Sequence, residues 1–212
     1  MDTTPHASTW DRVQRHPEVT IAERKTKMRN NRKRRLVETV EVSLSVQPNI
    51  DIVTDNMVAE WGDTPYAHLA VYLVHLKFLS TVHQNHHWIT KGEPFYGDHL
   101  LFQRIYEATQ EDVDSLAEKA IGLGSAKCVD ICLQTAQCYK LVRGYGMTST
   151  VPSPTELAKR SYLAEVNFLK VAAHLAEDLD ECGLLTRGLD NLLQGIEDKH
   201  EGHIYLLKQR IL

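Results

Sequence analysis

Residues 83–124 decide the fold of this chain: HQNHHWITKGEPFYGDHLLFQRIYEATQEDVDSLAEKAIGLG. A turn marked by glycine and proline separates two helical segments. His87-Trp88 ends the first segment, and His99 lies near the start of the second.

Two carboxylates follow in the second segment. Asp114 and Glu118 are four residues apart, so on a helix they share one face. Imidazoles and carboxylates without a thiolate suit a borderline divalent metal such as iron, zinc or manganese. His99 precedes Asp114 by fifteen residues, which is about 22 Å along a continuous helix. One ion cannot span that distance, so the pattern predicts a site shared by two antiparallel copies of this helix in an oligomer.

In this spacing the segment resembles the Dps family, the mini-ferritins named DNA-binding proteins from starved cells. The family pattern is His-Trp, a second His twelve residues after the first, an Asp fifteen residues later, and a Glu after four more. Here these are His87-Trp88, His99, Asp114 and Glu118. The resemblance covers about residues 65–212 and implies that His87, His99, Asp114 and Glu118 are the metal ligands.

One position departs from the family pattern. Many Dps proteins carry a further Asp four residues after the second His, where this chain has Gln103. Because an amide is a weaker, neutral ligand, Gln103 is predicted to bind weakly or through water, which would change the number or affinity of the metals. The resemblance also implies that Trp88 intercepts radicals beside the site, although a Trp at a helix end is equally an ordinary packing residue.

The closing segment offers an alternative site. Residues 200–208 resemble the closing helix of Dps proteins, and Glu197 and His200 form the Glu-x-x-His motif that di-iron proteins place inside a bundle. Such a centre needs a second motif of this kind and carboxylates on the other helices, which the sequence does not reveal. Glu197 and His200 are therefore the alternative, bundle-internal metal site. Otherwise His200 and His203 are interpreted as hydrogen-bonded bundle histidines, and His83 as a packed or surface histidine.

Helix signals predict an all-α fold, a ferritin-like four-helix bundle over residues 63–212. A Ser153–Glu156 capping box and several glycines mark the helix ends. A short connecting helix over residues 125–143 is expected between the second and third long helices. The predicted long helices run from Thr64-Pro65 to before Gly92, from Phe95 to Ile121, from Ser153 to Glu181, and from Thr186 to Arg210.

Residues 1–62 are predicted to form a basic, partly flexible extension. Alternating apolar residues within 37–47 predict one β-strand. Residues 24–35 carry eight basic side chains and no acid, which suits contact with nucleic acid phosphates. A solvated tail, a tail docked on an acidic neighbouring subunit and a nuclear-import signal are the alternatives. The candidate nucleic-acid contacts are Arg24, Lys25, Lys27, Arg29, Arg32, Lys33, Arg34 and Arg35.

Composition sets the broad class. With 212 residues, 42% hydrophobic content and a net charge of −4, the chain suits one soluble domain. We find no apolar run near the length that a bilayer requires and no secretory signal, so no membrane partner is expected. The four cysteines suggest no disulfide framework, and Cys128 and Cys132 are interpreted as buried small hydrophobes. A reducing, cytoplasmic location is expected, with nucleoid association if the basic run binds DNA.

Two function classes follow. The resemblance implies a ferroxidase that uses peroxide or oxygen, stores ferric iron in a hollow homo-oligomer of twelve subunits and protects against peroxide. Iron is the expected metal, with zinc or manganese as alternatives. The rival class is a non-enzymatic ferritin-like shell, or a scaffold that binds nucleic acid and has a degenerate metal site.

Overall fold

A computed structural model describes residues 50–147 and 152–212 of the chain, with side chains from residue 53 onward. The predicted strand at 37–47 and the basic run at 24–35 lie outside the described residues. Over the described ranges the chain is helical, with no strand. The helices are α1 (Ile50–Ala59), α2 (Ala67–Ile89), α3 (Phe95–Gly122), α4 (Ile131–Gly144), α5 (Pro154–Glu181) and α6 (Arg187–Ile211), and a short 3-10 helix spans Ala126–Val129.

The four long helices α2, α3, α5 and α6 form a ferritin-like four-helix bundle, which confirms the predicted all-α fold. Helix α2 packs along α3 and α5, while α6 packs along α5 and also contacts α3. The connection from α3 to α5 contains the 3-10 helix and α4, which packs against α2. This single long crossover is typical of ferritin-like bundles and confirms the predicted connecting helix.

Local capping explains the ends of the second pair of long helices. Ser153 Oγ accepts a hydrogen bond from the Glu156 amide at 3.2 Å, and Pro154 occupies the first turn of α5. Thr186 Oγ1 accepts from the Leu189 amide at 3.2 Å at the start of α6. Between them, Gly183 has φ 70°, a left-handed conformation that glycine adopts without strain. These signals were readable in the sequence and set the α5–α6 hairpin.

The start of the bundle differs from the sequence prediction. Helix α2 begins at Ala67 rather than Pro65, because Tyr66 adopts a left-handed conformation with φ 59°. Thr64 does not cap the helix; its hydroxyl donates to the Trp61 carbonyl at 2.6 Å. Helix α1 is an addition to the helices predicted from the sequence, and it packs on α2 and α5. Trp61 after it is 1% exposed and donates from Nε1 to Gln137 Oε1 at 3.0 Å.

The cysteines differ in burial. All four cysteines are free thiols. Cys128 is buried as predicted, whereas Cys132 and Cys182 are exposed. The interpretation of Cys132 as a buried hydrophobe is therefore wrong, because its position on α4 faces away from the bundle. Among the described helices, none combines the length and the apolar character needed to cross a bilayer.

Candidate metal centres

His87 and His99 meet where α2 ends and α3 begins. Their rings stack with centroids 3.7 Å apart and planes at 23°. His87 Nδ1 donates to the His99 carbonyl at 2.9 Å, and His99 Nδ1 donates to the His87 carbonyl at 3.1 Å. A carbonyl oxygen can only accept, so each neutral ring carries its hydrogen on Nδ1. Both Nε2 lone pairs therefore remain available to a metal, in the orientation that such second-sphere bonds typically fix.

Neighbouring side chains hold this helix-end pair in place. The ring of Phe95 stacks on His99 at 5.0 Å, and the ring of Tyr106 meets His87 edge-on at 5.4 Å. Arg210 from the last turn of α6 pairs with the buried Asp98 of α3, with Nη2 to Oδ2 at 3.0 Å. His87 and His99 are each half-buried, so their rings are held in place and remain accessible from solvent. Trp88, beside the pair, is 67% exposed.

The predicted carboxylates lie elsewhere on the same subunit. Asp114 and Glu118 are exposed on α3. Because α3 runs unbroken from Phe95 to Gly122, His99 and Asp114 are about 22 Å apart along it. The amide of Gln103, one turn after His99, donates to Glu107 Oε1 at 2.8 Å. Within one subunit the structure thus joins the two histidines and leaves the two carboxylates apart from them.

A second group of histidines surrounds Glu165 at the centre of the bundle. Glu165 is fully buried on α5. His83 of α2 donates from Nε2 to its Oε1 at 2.7 Å, and His200 of α6 donates from Nδ1 to its Oε2 at 2.5 Å. His203 Nδ1 lies 3.5 Å from Oε1. The ligand atoms of Glu165, His200 and His203 all lie within 4.8 Å of one another, a geometry able to hold a metal ion.

Charge pairing dominates this bundle centre. Burial opposes ionisation of Glu165, but the charge of His200 and hydrogen bonds from His200 and His83 hold the pKa of Glu165 well below its usual range. Burial also opposes protonation of His200, yet Glu165 and Asp112 raise its pKa to about 9. Burial lowers the pKa of His83 despite the bond to Glu165. Without a metal, the centre therefore holds a carboxylate and an imidazolium.

Three buried polar atoms at this centre lack a hydrogen-bond partner. They are Asp112 Oδ2, His200 Nε2 and His203 Nδ1. Asp112 on α3 uses its other oxygen to accept from Lys199 Nζ at 2.6 Å, while its Oδ2 lies 3.6 Å from His200 Nε2. A buried polar atom left unpaired costs about 1–3 kcal/mol. Three unpaired polar atoms in one place indicate that the protein's own hydrogen bonds do not satisfy this centre.

A chain of hydrogen bonds leads from the centre to a surface cleft. His86 Nδ1 lies 2.7 Å from Ser161 Oγ, which lies 3.1 Å from His83 Nδ1. Because neutral His83 donates from Nε2 to Glu165, its Nδ1 must accept from the Ser161 hydroxyl, and Ser161 in turn accepts from His86. His86 lines a cleft of about 180 Å³ that also includes Arg160. Burial lowers the pKa of His86 to about 3, so this ring is neutral.

A third group lies on the surface between α1 and α5. His174 Nε2 contacts Asp55 Oδ1 at 2.8 Å and Asp178 Oδ2 at 3.6 Å. His68 Nε2 lies 3.7 Å from the same Asp178 oxygen. These side chains are partly solvated and contact one another at the surface.

The sequence predicts only part of the bundle centre. The alternative site pairs His200 with Glu197, and the structure adds Glu165, whose Oε2 lies 2.5 Å from His200 Nδ1. His83 is packed, as interpreted, but it also binds Glu165. The missed signal is the position of Glu165 on the buried face of α5, between Ser161 and Phe168 at helical spacing. An acidic residue on an apolar stripe needs a buried partner.

Comparisons with known proteins agree on the fold. No protein-family model and no curated protein matches the chain. The X-ray structure of Dps from Thermosynechococcus elongatus has a TM-score of 0.59 at 18% identity, covering 78% of this chain and 96% of that one. The DPS protein from Vibrio cholerae O1, a member of a broad superfamily of ferritin-like diiron-carboxylate proteins, has a TM-score of 0.58 at 15% identity, covering 80% and 100%. The described bundle therefore has the Dps-like, ferritin-like fold that the sequence predicted.

Proposed function

We propose that this protein is a Dps-like iron-binding protein that oxidises Fe(II) at a metal site completed between two subunits. The ferric product would be stored inside a hollow oligomer, and the consumption of peroxide would protect against oxidative damage. The proposed ligands are His87 and His99 of one subunit with Asp114 and Glu118 of the partner subunit.

The observation that carries this proposal is the reciprocal bonding of His87 and His99. Each ring is fixed through Nδ1 by the backbone carbonyl of the other residue, at 2.9 and 3.1 Å. Two imidazoles held side by side with free Nε2 atoms are prepared to bind a metal without losing further side-chain freedom. Simple packing would not require both Nδ1 atoms to be held in this way.

Exposed apolar side chains support a partner at both halves of the site. Trp88, Tyr96 and Leu100 are 67%, 74% and 45% exposed around the histidine pair. Near Glu118, Ile121 is 50% exposed. Water disfavours such surfaces, and a second copy lying antiparallel along α3 would cover them while adding the missing carboxylates.

These residues would bind the iron substrate and balance its charge. The neutral imidazoles donate lone pairs through Nε2, and the carboxylates balance the charge of the iron substrate. Each Fe(II) loses one electron, and hydrogen peroxide takes up two electrons and two protons to give two water molecules. Two Fe(II) ions are therefore consumed for each peroxide, and exposed Trp88 lies where it could reduce a stray radical.

The test is anaerobic addition of Fe(II) followed by peroxide, with ferric product measured by ultraviolet absorbance. Glu118→Gln should lower the initial rate by at least about tenfold, because losing a group that tunes or binds the metal typically costs that much. Glu181→Gln is the matched control, since it makes the same change at an exposed position at the end of α5. The control should oxidise iron at the parent rate.

Three results would contradict the proposal. Glu118→Gln that oxidises iron as fast as the parent would remove Glu118 from the site, and a parent no faster than buffer would favour the non-enzymatic shell. Sedimentation of each variant checks the assembly, because a parent that is a stable monomer at micromolar concentration has no inter-subunit site.

A further inference from the structure

We infer that the bundle centre is a second, mononuclear metal site, which binds a divalent transition ion through Glu165, His200 and His203. This site lies within one subunit and does not depend on the proposed inter-subunit site. It lies between α5 and α6, whereas His87 and His99 lie at the α2–α3 turn.

The unpaired atoms point to a ligand. His203 Nδ1 is buried, has no hydrogen-bond partner and lies 3.5 Å from Glu165 Oε1. An ion among Glu165, His200 and His203 would use this nitrogen and would replace the proton between His200 Nδ1 and Glu165. A purely structural network would have no reason to bury a third imidazole nitrogen against an already paired carboxylate.

Asp112 supplies the outer support that a ligating histidine usually has. Its unpaired Oδ2 lies 3.6 Å from the unpaired Nε2 of His200. If His200 binds metal through Nδ1, its Nε2–H is left to donate to this carboxylate. Carboxylate–histidine–metal chains of this kind are common, because the outer carboxylate fixes the tautomer and makes the ring more basic.

The remaining surroundings define the class of ion. His83 Nε2 also faces Glu165, at 2.7 Å, so a fourth ligand is at hand. Three imidazoles and one carboxylate suit Fe²⁺, Co²⁺ or Zn²⁺, whereas Mg²⁺ and Ca²⁺ prefer oxygen ligands. The Phe168 ring lies 4.6 Å from that of His200 and keeps this side of the centre apolar. The hydrogen-bonded chain His86–Ser161–His83 connects the centre to the cleft. Through it, His83 can move its hydrogen from Nε2, which donates to Glu165, to Nδ1, which leaves Nε2 free to bind the metal.

Cobalt is a suitable probe, because its visible absorption reports on coordination. The protein is produced in cobalt-supplemented medium, so that the ion is present as the chain folds, and is then desalted. The test variant carries His87→Gln, His99→Gln and His174→Gln, which remove the helix-end pair and the surface group but leave the bundle centre intact. It should retain about one Co²⁺ per subunit, with the intense visible absorption of four- or five-coordinate cobalt.

Adding His203→Gln to that variant should lower the retained cobalt at least tenfold. The proposal is overturned if the triple variant retains no cobalt, or if His203→Gln leaves its cobalt content unchanged. Anomalous diffraction from cobalt-loaded crystals of the unmodified protein gives an answer that depends on no variant. A peak within bonding distance of Glu165 and His203 supports the site, and the absence of a peak there overturns it.

Discussion

The two histidine groups of this subunit donate hydrogen bonds to different kinds of acceptor. At the helix end, His87 and His99 donate to neutral backbone carbonyls and stay half-exposed. At the bundle centre, His200 donates to the buried Glu165 carboxylate at 2.5 Å. A carbonyl fixes the tautomer and leaves the other nitrogen free, whereas a carboxylate also stabilises positive charge on the ring.

This difference shows what each group needs. Glu165 is a buried anion and requires a cation beside it, which is either the proton on His200 or a metal ion in its place. Under the proposed function, the helix-end pair would receive its carboxylates, Asp114 and Glu118, from a neighbouring subunit. The bundle centre is thus charge-balanced within one subunit, whereas the proposed helix-end site would be completed by assembly.

The largest effect expected from this comparison is on folding stability. Glu165→Gln should lower the free energy of unfolding of the metal-free protein by about 3–5 kcal/mol, because removing one partner of a buried ion pair strands the other. Urea denaturation at fixed protein concentration, with a chelator present, measures it. Glu181→Gln is the control and should stay within about 0.5 kcal/mol of the parent, since its carboxylate is exposed at the end of α5. Equal stabilities for the two variants would mean that the bundle centre is not charge-paired.

A smaller effect is expected on the pH dependence of folding stability. It has opposite signs for a buried histidine beside a carboxylate and for one without a carboxylate. Burial lowers the pKa of His75 to about 4, against about 6.5 in the unfolded chain. Between these values only the unfolded chain binds the proton, so the stability present above pH 6.5 is lost as pH falls, by up to about 3 kcal/mol. His200, with pKa about 9, has the opposite sign: its contribution is lost as pH rises through that value.

His75→Leu should therefore flatten the acid limb of stability against pH by up to about 1.4 kcal/mol per pH unit. Urea midpoints between pH 4.5 and 7 measure the slope. Tyr72→Phe is the control, because Tyr72 is equally buried on α2 and burial raises its pKa, away from this range. Parallel curves for His75→Leu and the parent would show that burial does not lower the pKa of His75, because folded and unfolded chains would then bind its proton equally.

The sequence predicted the bundle because its helix ends have local causes. The hydroxyls of Ser153 and Thr186 act within three residues, and the α2–α3 turn alone brings His87 to His99. The start of α2 was missed because Tyr66 is left-handed without being glycine, which no local signal announces. Helix α1 was missed because its support comes from distant residues, such as Gln137 bonding Trp61.

The bundle centre was harder to predict because it depends on how four helices meet. A helical pattern shows that Glu165 lies on the buried face of α5 and that His200 and His203 lie on that of α6. The axial shift and the rotation of one helix relative to the other determine which carboxylate contacts which imidazole. Sequence spacing fixes neither, so the sequence points to Glu197, three residues before His200, and does not reveal Glu165, which is bonded to His200 across two helices.

The smallest expected effect concerns the missing carboxylate at the helix-end pair. Gln103→Asp places a charge one turn after His99 on α3 and should tighten anaerobic Fe(II) binding by about two- to tenfold. The gain stays modest because Glu107, which now accepts from the Gln103 amide at 2.8 Å, would repel the new charge by a few tenths of a kcal/mol. Gln194→Asp is the matched control, since the Gln194 amide donates to Asp190, four residues away on α6, at 2.7 Å. It makes the same new like-charge pair away from the site, so equal Fe(II) affinities for the two variants would mean that position 103 does not face the metal.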